Sequence, residues 1–229
     1  MITDPPILTI RRNFERPSID LVEAFRGVPT GYLVDAMRGR GCLDHSIRPL
    51  LPEKASIHGV ALTCHAGPAD NLAVFGALEV AKKGDVIVAC TDGFLKTSVT
   101  GDLLLGMAKN LGVAGFVTDG LVRDLTGLEA VGLPVYCAGL TANSPTRNGP
   151  GTVGMPIVIG DVTINPGDIL VGDRDGVVVV PRTEAVAVLE RLDGIKTAER
   201  ALEAKVQAGL GVPDFIRAIL DLDRTAYVD

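Results

Sequence analysis

Tryptophan is absent from the 229 residues, and only three tyrosines and six phenylalanines accompany its absence. No block of lysine or arginine appears, and the formal net charge is -6. A nucleic-acid face of basic residues interleaved with stacking aromatics is therefore not expected. An acidic chain can still bind an anionic substrate, but it needs a local cation to do so. Cysteine is scarce: Cys42, Cys64, Cys90 and Cys137 stand apart with no C-x-x-C pair. That pattern argues for buried, reduced thiols and against zinc or disulfides. His45, His58 and His65 have no metal-ligand spacing to one another or to a cysteine pair, and read as ordinary surface or core histidines. No apolar run reaches membrane-spanning length, and MITDPPILTI lacks the basic region and apolar run of a signal peptide. A cytoplasmic protein that binds neither membrane nor nucleic acid is the expectation.

What is there is apolar mass in alternating blocks. Hydrophobic residues make up 47% of the chain, enough for the core of one large domain with a helical appendage. Residues 1–17 are polar and Pro-bearing and read as an N-terminal arm. SIDLVEAFRGV opens with a serine cap and has helical apolar spacing; PTGYLVDAMRGRG is a second short helix ended by glycines. β-Branched alternation in IRPLLPEKASIHGVALTCHAG predicts a strand. DNLAVFGALEVAKKGD predicts a helix ending in basic residues, and VIVAC a strand buried on both faces. GDLLLGMAKNLG, VAGFVTDG, VRDLTGLEAVG and LPVYCAG then alternate helix, strand, helix, strand, which argues for βα units with parallel pairing. From residue 150 the Gly-Asp, Asn-Pro-Gly and Asp-Gly turns mark a β-rich meander, in which GDRDG reads as a hairpin turn rather than a calcium loop. One long helix or two, opened by a Thr cap after Pro181, follows over TEAVAVLERLDGIKTAERALEAKVQAG.

Chemistry gathers around two places. Gly101 and Asp102 open a helix, whose first N–H groups lack internal partners and favour an anion. Thr100 or Asp102 can cap that helix, or the amides of Leu103 and Leu104 can hold a carboxylate or phosphate. Twenty residues later, Arg123 and Asp124 end a strand. One helix, one turn and one strand return the chain to the same sheet edge, so Asp102 and Arg123-Asp124 face one crevice. The plainer alternative makes Asp124 the cap of LTGLEAVG. Asp70-Asn71 reads as a cap that can line the site, and Arg147-Asn148 as a loop able to hold a distal carboxylate.

The D-x20-R-D pattern of Asp102, Arg123 and Asp124 resembles the signature of the RraA-like family. IRPL, ADN at 69–71, GDLLLGMAKNLGVAGFVTDGLVRD, LPVYCAG and NPGDILVGDRDGVVVVPR come in that family's order, so the resemblance covers nearly the whole chain. It implies an α/β fold: a swivelling-type β/β/α core with a mixed sheet, a β-rich second half and a C-terminal helix. It implies an arm over 1–17, a catalytic core over 18–182 and a helical extension over 183–229 that contacts a neighbouring subunit. The branch it resembles is the class II pyruvate aldolases acting on 4-hydroxy-4-methyl-2-oxoglutarate and 4-carboxy-4-hydroxy-2-oxoadipate.

The roles that the resemblance implies are these. Asp124 ligates Mg2+ or Mn2+, an oxygen-seeking ion that keeps several waters. Arg123 meets the keto oxygen, where enolate charge develops. Asp102 holds a water in the acid–base relay at the 4-hydroxyl. Gly101 and the amides of Leu103 and Leu104 bind the pyruvyl carboxylate. Glu199 reaches the site of a neighbouring subunit in a homotrimer or homohexamer, with Glu190 and Glu203 as rivals. The expected reaction cleaves a 4-hydroxy-2-oxo dicarboxylic acid to pyruvate and a second oxo acid, with oxaloacetate decarboxylation through the same enolate.

Three alternatives stand beside it. A class I aldolase would use a lysine Schiff base, yet Lys82, Lys83, Lys96 and Lys109 fall at helix or turn positions. A regulator that binds ribonuclease E would share the fold without the catalytic acids. A menaquinone-precursor methyltransferase would need a glycine-rich nucleotide loop, and none follows an early strand.

Overall fold

The computed structural model describes residue 4 and residues 6–228, so residues 1–3 and 5 of the arm and residue 229 of the extension lie outside the described residues. β1 (Leu8–Ile10) is followed by α1 (Ile19–Glu23) and α2 (Thr30–Ala36). Ser18 caps α1, its hydroxyl accepting from Leu21 N at 3.3 Å. β2 (Arg48–Pro49) precedes the long β3 (Ile57–His65). Then come α3 (Leu72–Val80), β4 (Asp85–Cys90), β5 (Ser98–Thr100) and α4 (Asp102–Asn110). β6 (Gly115–Thr118), β7 (Leu121–Val122), α5 (Leu125–Val131), β8 (Val135–Cys137) and β9 (Gly139–Leu140) complete the alternating half. The β-rich half holds β10 (Gly151–Val153), β11 (Ile157–Ile159), β12 (Val162–Ile164), β13 (Ile169–Gly172) and β14 (Val177–Val180). Two helices follow, α6 (Ala185–Gln207) and α7 (Asp214–Leu220).

The main sheet is mixed. β3, β4, β6 and β8 run parallel at its centre. β2 pairs antiparallel with β8 at one side; β13 and β10 pair antiparallel with the first and last parts of β3 at the other. Every residue of β4 is buried, as its continuous apolar run predicts. Helices α3, α4 and α5 cover one face through Ala73, Ala77, Leu105, Ala108 and Leu128. The β11–β12 hairpin covers the other with Ile157, Ile159 and Ile164. α1, α2 and the first turns of α6 pack on β13 and β14 through Val22, Leu33, Ala36, Val188 and Leu192. The result is the expected β/β/α layering with a C-terminal helix.

Parts of the N-terminal arm and the start of the C-terminal extension enter this core. β1 pairs in parallel with β10. Arg16, stacked 4.3 Å over the Phe14 ring, forms a bidentate ion pair with the buried Asp85. Ala185, Val188 and Leu192 are buried, whereas the second half of α6 and all of α7 bury nothing.

Three local expectations change. Thr183 does not cap α6: the N-cap is Glu184, its side chain makes no capping bond, and its N–H donates to Pro181 O at 2.8 Å. The helix 72–80 stops before Lys82-Lys83, which form the turn into β4 because Lys82 N donates to Asp85 Oδ2 at 2.8 Å. The expected strand VAGFVTDG does not run on into Arg123. β6 ends at Thr118, and Asp119 turns aside to accept from Thr91 N at 2.7 Å and Gly93 N at 3.0 Å. The chain then enters a separate, all-parallel sheet of β5, β7 and β9.

Candidate active site

That small sheet positions the candidate site. β5 ends at Thr100 and leads directly into Gly101 and α4; β7 ends at Val122 and leads into Arg123 and Asp124; β9 leads into the 141–148 loop. Ligands gather beyond the C-terminal ends of parallel strands because helix N-termini and loops converge there. A cleft of about 260 Å³ lies at these ends, lined by Ser98, Thr100, Gly101, Asp102, Leu103, Leu104, Arg123, Asp124, Ser144 and Arg147, with Asn71 and Phe75 from the start of α3. The sheet edge returns the chain to one crevice as the D-x20-R-D spacing suggested.

Asp124 occupies the N-cap position of α5 but makes no side-chain capping bond. The capping alternative therefore does not hold. Asp124 is held at φ 65, ψ 48, a left-handed conformation that costs a non-glycine residue about 1–2 kcal/mol and that aspartate tolerates better than most. One of its oxygens accepts from Arg123 Nε at 3.1 Å, and Arg123 Nη1 donates to Ser144 Oγ. Both charged side chains remain more than one-third exposed.

Glycines keep the acids close to their neighbours. A Cβ on Gly101 would overlap Asp124 Oδ2 and approach Arg123 Cγ to 3.2 Å. A Cβ on Gly127 of α5 would overlap the Asp102 carboxylate, so Asp102 packs directly against the α5 backbone. Asp102 Oδ1 accepts from Leu103 N at 2.7 Å. The Leu103 amide is thus already engaged, and an incoming carboxylate would compete with Asp102 for it. The Leu104 amide belongs to the first turn, where no intrahelical acceptor exists.

The far wall, formed by Asn71, Phe75 and Arg147, is braced from behind by the buried Asp70. Its Oδ1 accepts from Leu72 N at 2.8 Å; its Oδ2 accepts from Asn148 N at 2.6 Å, Gly149 N at 3.1 Å and Thr146 Oγ1 at 3.0 Å. Burial raises the Asp70 carboxyl, but these four donors more than offset it, and its pKa is lowered. Asp70 thereby pins the loop that carries Arg147, whose guanidinium lies 5.4 Å from the Phe75 ring centroid. Asn71 donates its N–H to Thr146 O at 3.0 Å, while its buried Oδ1 has no partner. Asn71 and Arg147 line the cleft, as the sequence reading allowed, whereas Asp70 holds the loop of Arg147 from behind. Ser144 carries no sequence signal at all, because its role depends on β9 lying beside β7.

Glu199 is exposed on the second half of α6 and does not line the cleft of its own chain; Glu190 and Glu203 do not line it either. No lysine lines it, so the structure brings none of Lys82, Lys83, Lys96 and Lys109 to Arg123 and Asp124. Three of the four free cysteines are buried and Cys42 is exposed. Among the described residues, no helix is long and apolar enough to cross a membrane.

Comparison with known proteins adds a family. A family model described as RraA-like, Aldolase/RraA, matches residues 30–179. A protein of Halalkalibacterium halodurans, provisionally named a 4-hydroxy-4-methyl-2-oxoglutarate aldolase, is 39% identical over 188 residues, spanning 82% of this chain and 89% of that protein. Among solved structures, Streptomyces coelicolor RraAS2, described as an unusual member of the RNase ES inhibitor RraA protein family, superposes with a TM-score of 0.75 at 27% identity. It covers 83% of this chain and all of its own. An uncharacterized Pseudomonas syringae protein superposes equally well, at 26% identity over 86% of this chain and 97% of its own.

Proposed function

The chain belongs to the RraA-like family, and from that premise we propose that it is a divalent-metal-dependent aldolase. It cleaves a 4-hydroxy-2-oxo dicarboxylic acid to pyruvate and a second 2-oxo acid. The observation that carries this reading is the convergence of Asp102, Arg123 and Asp124 in one cleft, with Asp124 free of the capping duty its position would explain.

The residues present fit a hard divalent ion such as Mg2+ or Mn2+. Asp124 offers carboxylate oxygens, and the missing Cβ of Gly101 keeps the space beside them clear. When bound there, such an ion supplies Lewis acidity to the oxygens of the 2-oxo acid. Arg123, steadied by Ser144, presents its guanidinium to the keto oxygen. Charge builds on that oxygen as the carbon–carbon bond breaks, so the contact strengthens in the transition state. The amides of Leu103 and Leu104 hold the pyruvyl carboxylate. Because that carboxylate takes Leu103 N from Asp102 Oδ1, substrate binding frees Asp102 to relay the 4-hydroxyl proton through a water. Arg147, braced by Phe75 and by the loop that Asp70 holds, receives the distal carboxylate. Loss of CO2 from oxaloacetate leaves the same pyruvate enolate and is the expected side activity.

Assembly completes the site in this reading. Leu103 and Met107 leave apolar surface exposed at the cleft, and the outer half of α6 with α7 offers Leu202, Val206, Phe215 and Ile219. A homotrimer or homohexamer buries these faces, and the extension 183–229 carries Glu199 to a neighbouring cleft as the second acid. Reduced cysteines suit a cytoplasmic protein.

The test is a lactate-dehydrogenase-coupled pyruvate assay on 4-hydroxy-4-methyl-2-oxoglutarate and oxaloacetate with Mg2+ or Mn2+. Turnover that EDTA abolishes, and that Asp124→Asn loses while its urea stability stays within about 0.5 kcal/mol of the parent, supports both the reaction and the non-capping role. Borohydride trapping of pyruvate on a lysine refutes it. No turnover, with binding to a ribonuclease E-type nuclease instead, favours the regulator reading suggested by the inhibitor family of RraAS2.

A further inference from the structure

Away from the cleft, a second group of ligand-bearing side chains meets at the ends of the central strands. His65 and Cys90 are paired neighbours at the C-termini of the parallel β3 and β4. Two residues on, Asp92 stands in a left-handed conformation, φ 57, and turns its carboxylate back over them. His65 Nε2 lies 2.9 Å from Asp92 Oδ1, and Cys90 Sγ lies 3.6 Å from the same oxygen. One ligand atom from each of the three falls within 4.8 Å of the others. A tetrahedral ion with bonds of about 2.0–2.3 Å spaces its ligands by roughly 3.3–3.8 Å, so these atoms need only small side-chain rotations to share one ion.

We infer that His65, Cys90 and Asp92 form a binding site for a thiophilic divalent transition metal of the Zn2+ class, separate from Asp124. A nitrogen, a sulfur and a carboxylate oxygen suit zinc better than Mg2+ or Ca2+, which prefer all-oxygen shells. The fourth position faces solvent, since His65 and Asp92 are partly exposed while Cys90 is buried. Asp119 supplies a second carboxylate, its Oδ2 3.8 Å from Cys90 Sγ. That oxygen also accepts from Gly93 N and the other from Thr91, so Asp119 adds negative charge behind the ligands rather than a ligand. Burial, with Asp119 and Asp92 nearby, pushes the Cys90 thiol up to about 12, so without a cation it is an inert thiol whose Sγ lies 3.4 Å from Val158 O. On ligation the thiol gives its proton to solvent and trades the Val158 contact for a metal–sulfur bond.

The position gives the ion a structural use. Asp92 opens the connector that runs to Ser98 and Thr100, the strand under Gly101. An ion joining Asp92 to the ends of β3 and β4 tethers that connector at its origin. The site shares no residue with the cleft and does not depend on the aldolase reading.

Full-length protein stripped with EDTA and titrated with Co2+ tests the assignment. A sulfur-to-cobalt charge-transfer band in the near ultraviolet, saturating at one Co2+ per chain and displaced by Zn2+, is expected. Cys90→Ser should remove the band, and Asp92→Asn, at an exposed side chain that does not endanger folding, should weaken Co2+ binding at least about tenfold. Asp124→Asn should leave the band unchanged, which separates this site from the aldolase site. Co2+ binding without a sulfur band, or a band that survives Cys90→Ser, overturns the inference.

Discussion

Replacing Gly101 with alanine would disturb the candidate site without removing any functional group. Gly101 sits at φ -145, ψ -169, extended backbone that alanine adopts freely, so the fold should not suffer from the torsion. The added methyl, however, would overlap Asp124 Oδ2 and crowd Arg123 Cγ at 3.2 Å. Either the Asp124 carboxylate rotates out of its position or the first turn of α4 retreats; both shifts are on the order of 1 Å, a misplacement that can cost about 10²-fold in rate. That factor corresponds to about 2.7 kcal/mol of lost transition-state stabilisation. Gly106, on the same helix, is the internal control. Its added Cβ would meet only Val131 Cγ2 at 3.8 Å, an ordinary contact. Gly106→Ala should raise stability by about 0.5–1 kcal/mol through helix propensity and leave turnover intact. The assay is kcat/KM with saturating Mg2+, paired with urea denaturation of each variant. Full activity in Gly101→Ala, or equal losses in both variants, would refute the claim that close approach at Gly101 sets the position of Asp124.

Arg147→Ala should raise KM for a dicarboxylic substrate at least about tenfold with kcat less affected, the signature of lost binding rather than lost chemistry. Asp70→Asn should cost about 1–3 kcal/mol at neutral pH by unbalancing four hydrogen bonds. Because the folded-state pKa of Asp70 is lowered, its contribution is complete above the ordinary carboxylate value near 4 and fades as pH falls through the lowered folded value; urea melts of parent and variant should converge there. Arg16→Met should cost about 3–5 kcal/mol by leaving the buried Asp85 carboxylate unpaired. A loss under 1 kcal/mol in urea denaturation would mean that the N-terminal segment is not tied into the core.

Alternation of helix and strand, the Gly-Asp and Asp-Gly hairpins and the buried VIVAC strand follow from composition and period, and they appear in the structure because each reflects local physics: capping, turn torsion and two-sided burial. Asp102, Arg123 and Asp124 do line one cleft, as the D-x20-R-D spacing suggests, but they reach it from the ends of β5 and β7 rather than from the expected strand VAGFVTDG. The small β5-β7-β9 sheet was not legible, because strands of two or three residues carry no period, and their pairing is decided by neighbours far along the chain. Nor could spacing say that Asp124 leaves its helix uncapped, that Asp70 holds the loop of Arg147, or that His65 meets Cys90 and Asp92. Those depend on strand register and on one left-handed residue in each turn, and both are fixed only when the sheet has formed. The sequence by itself determined which acids and bases the chain carries and roughly where they turn. Only the tertiary structure decided which of them share a site, because proximity between distant residues is a property of packed strands rather than of any local segment.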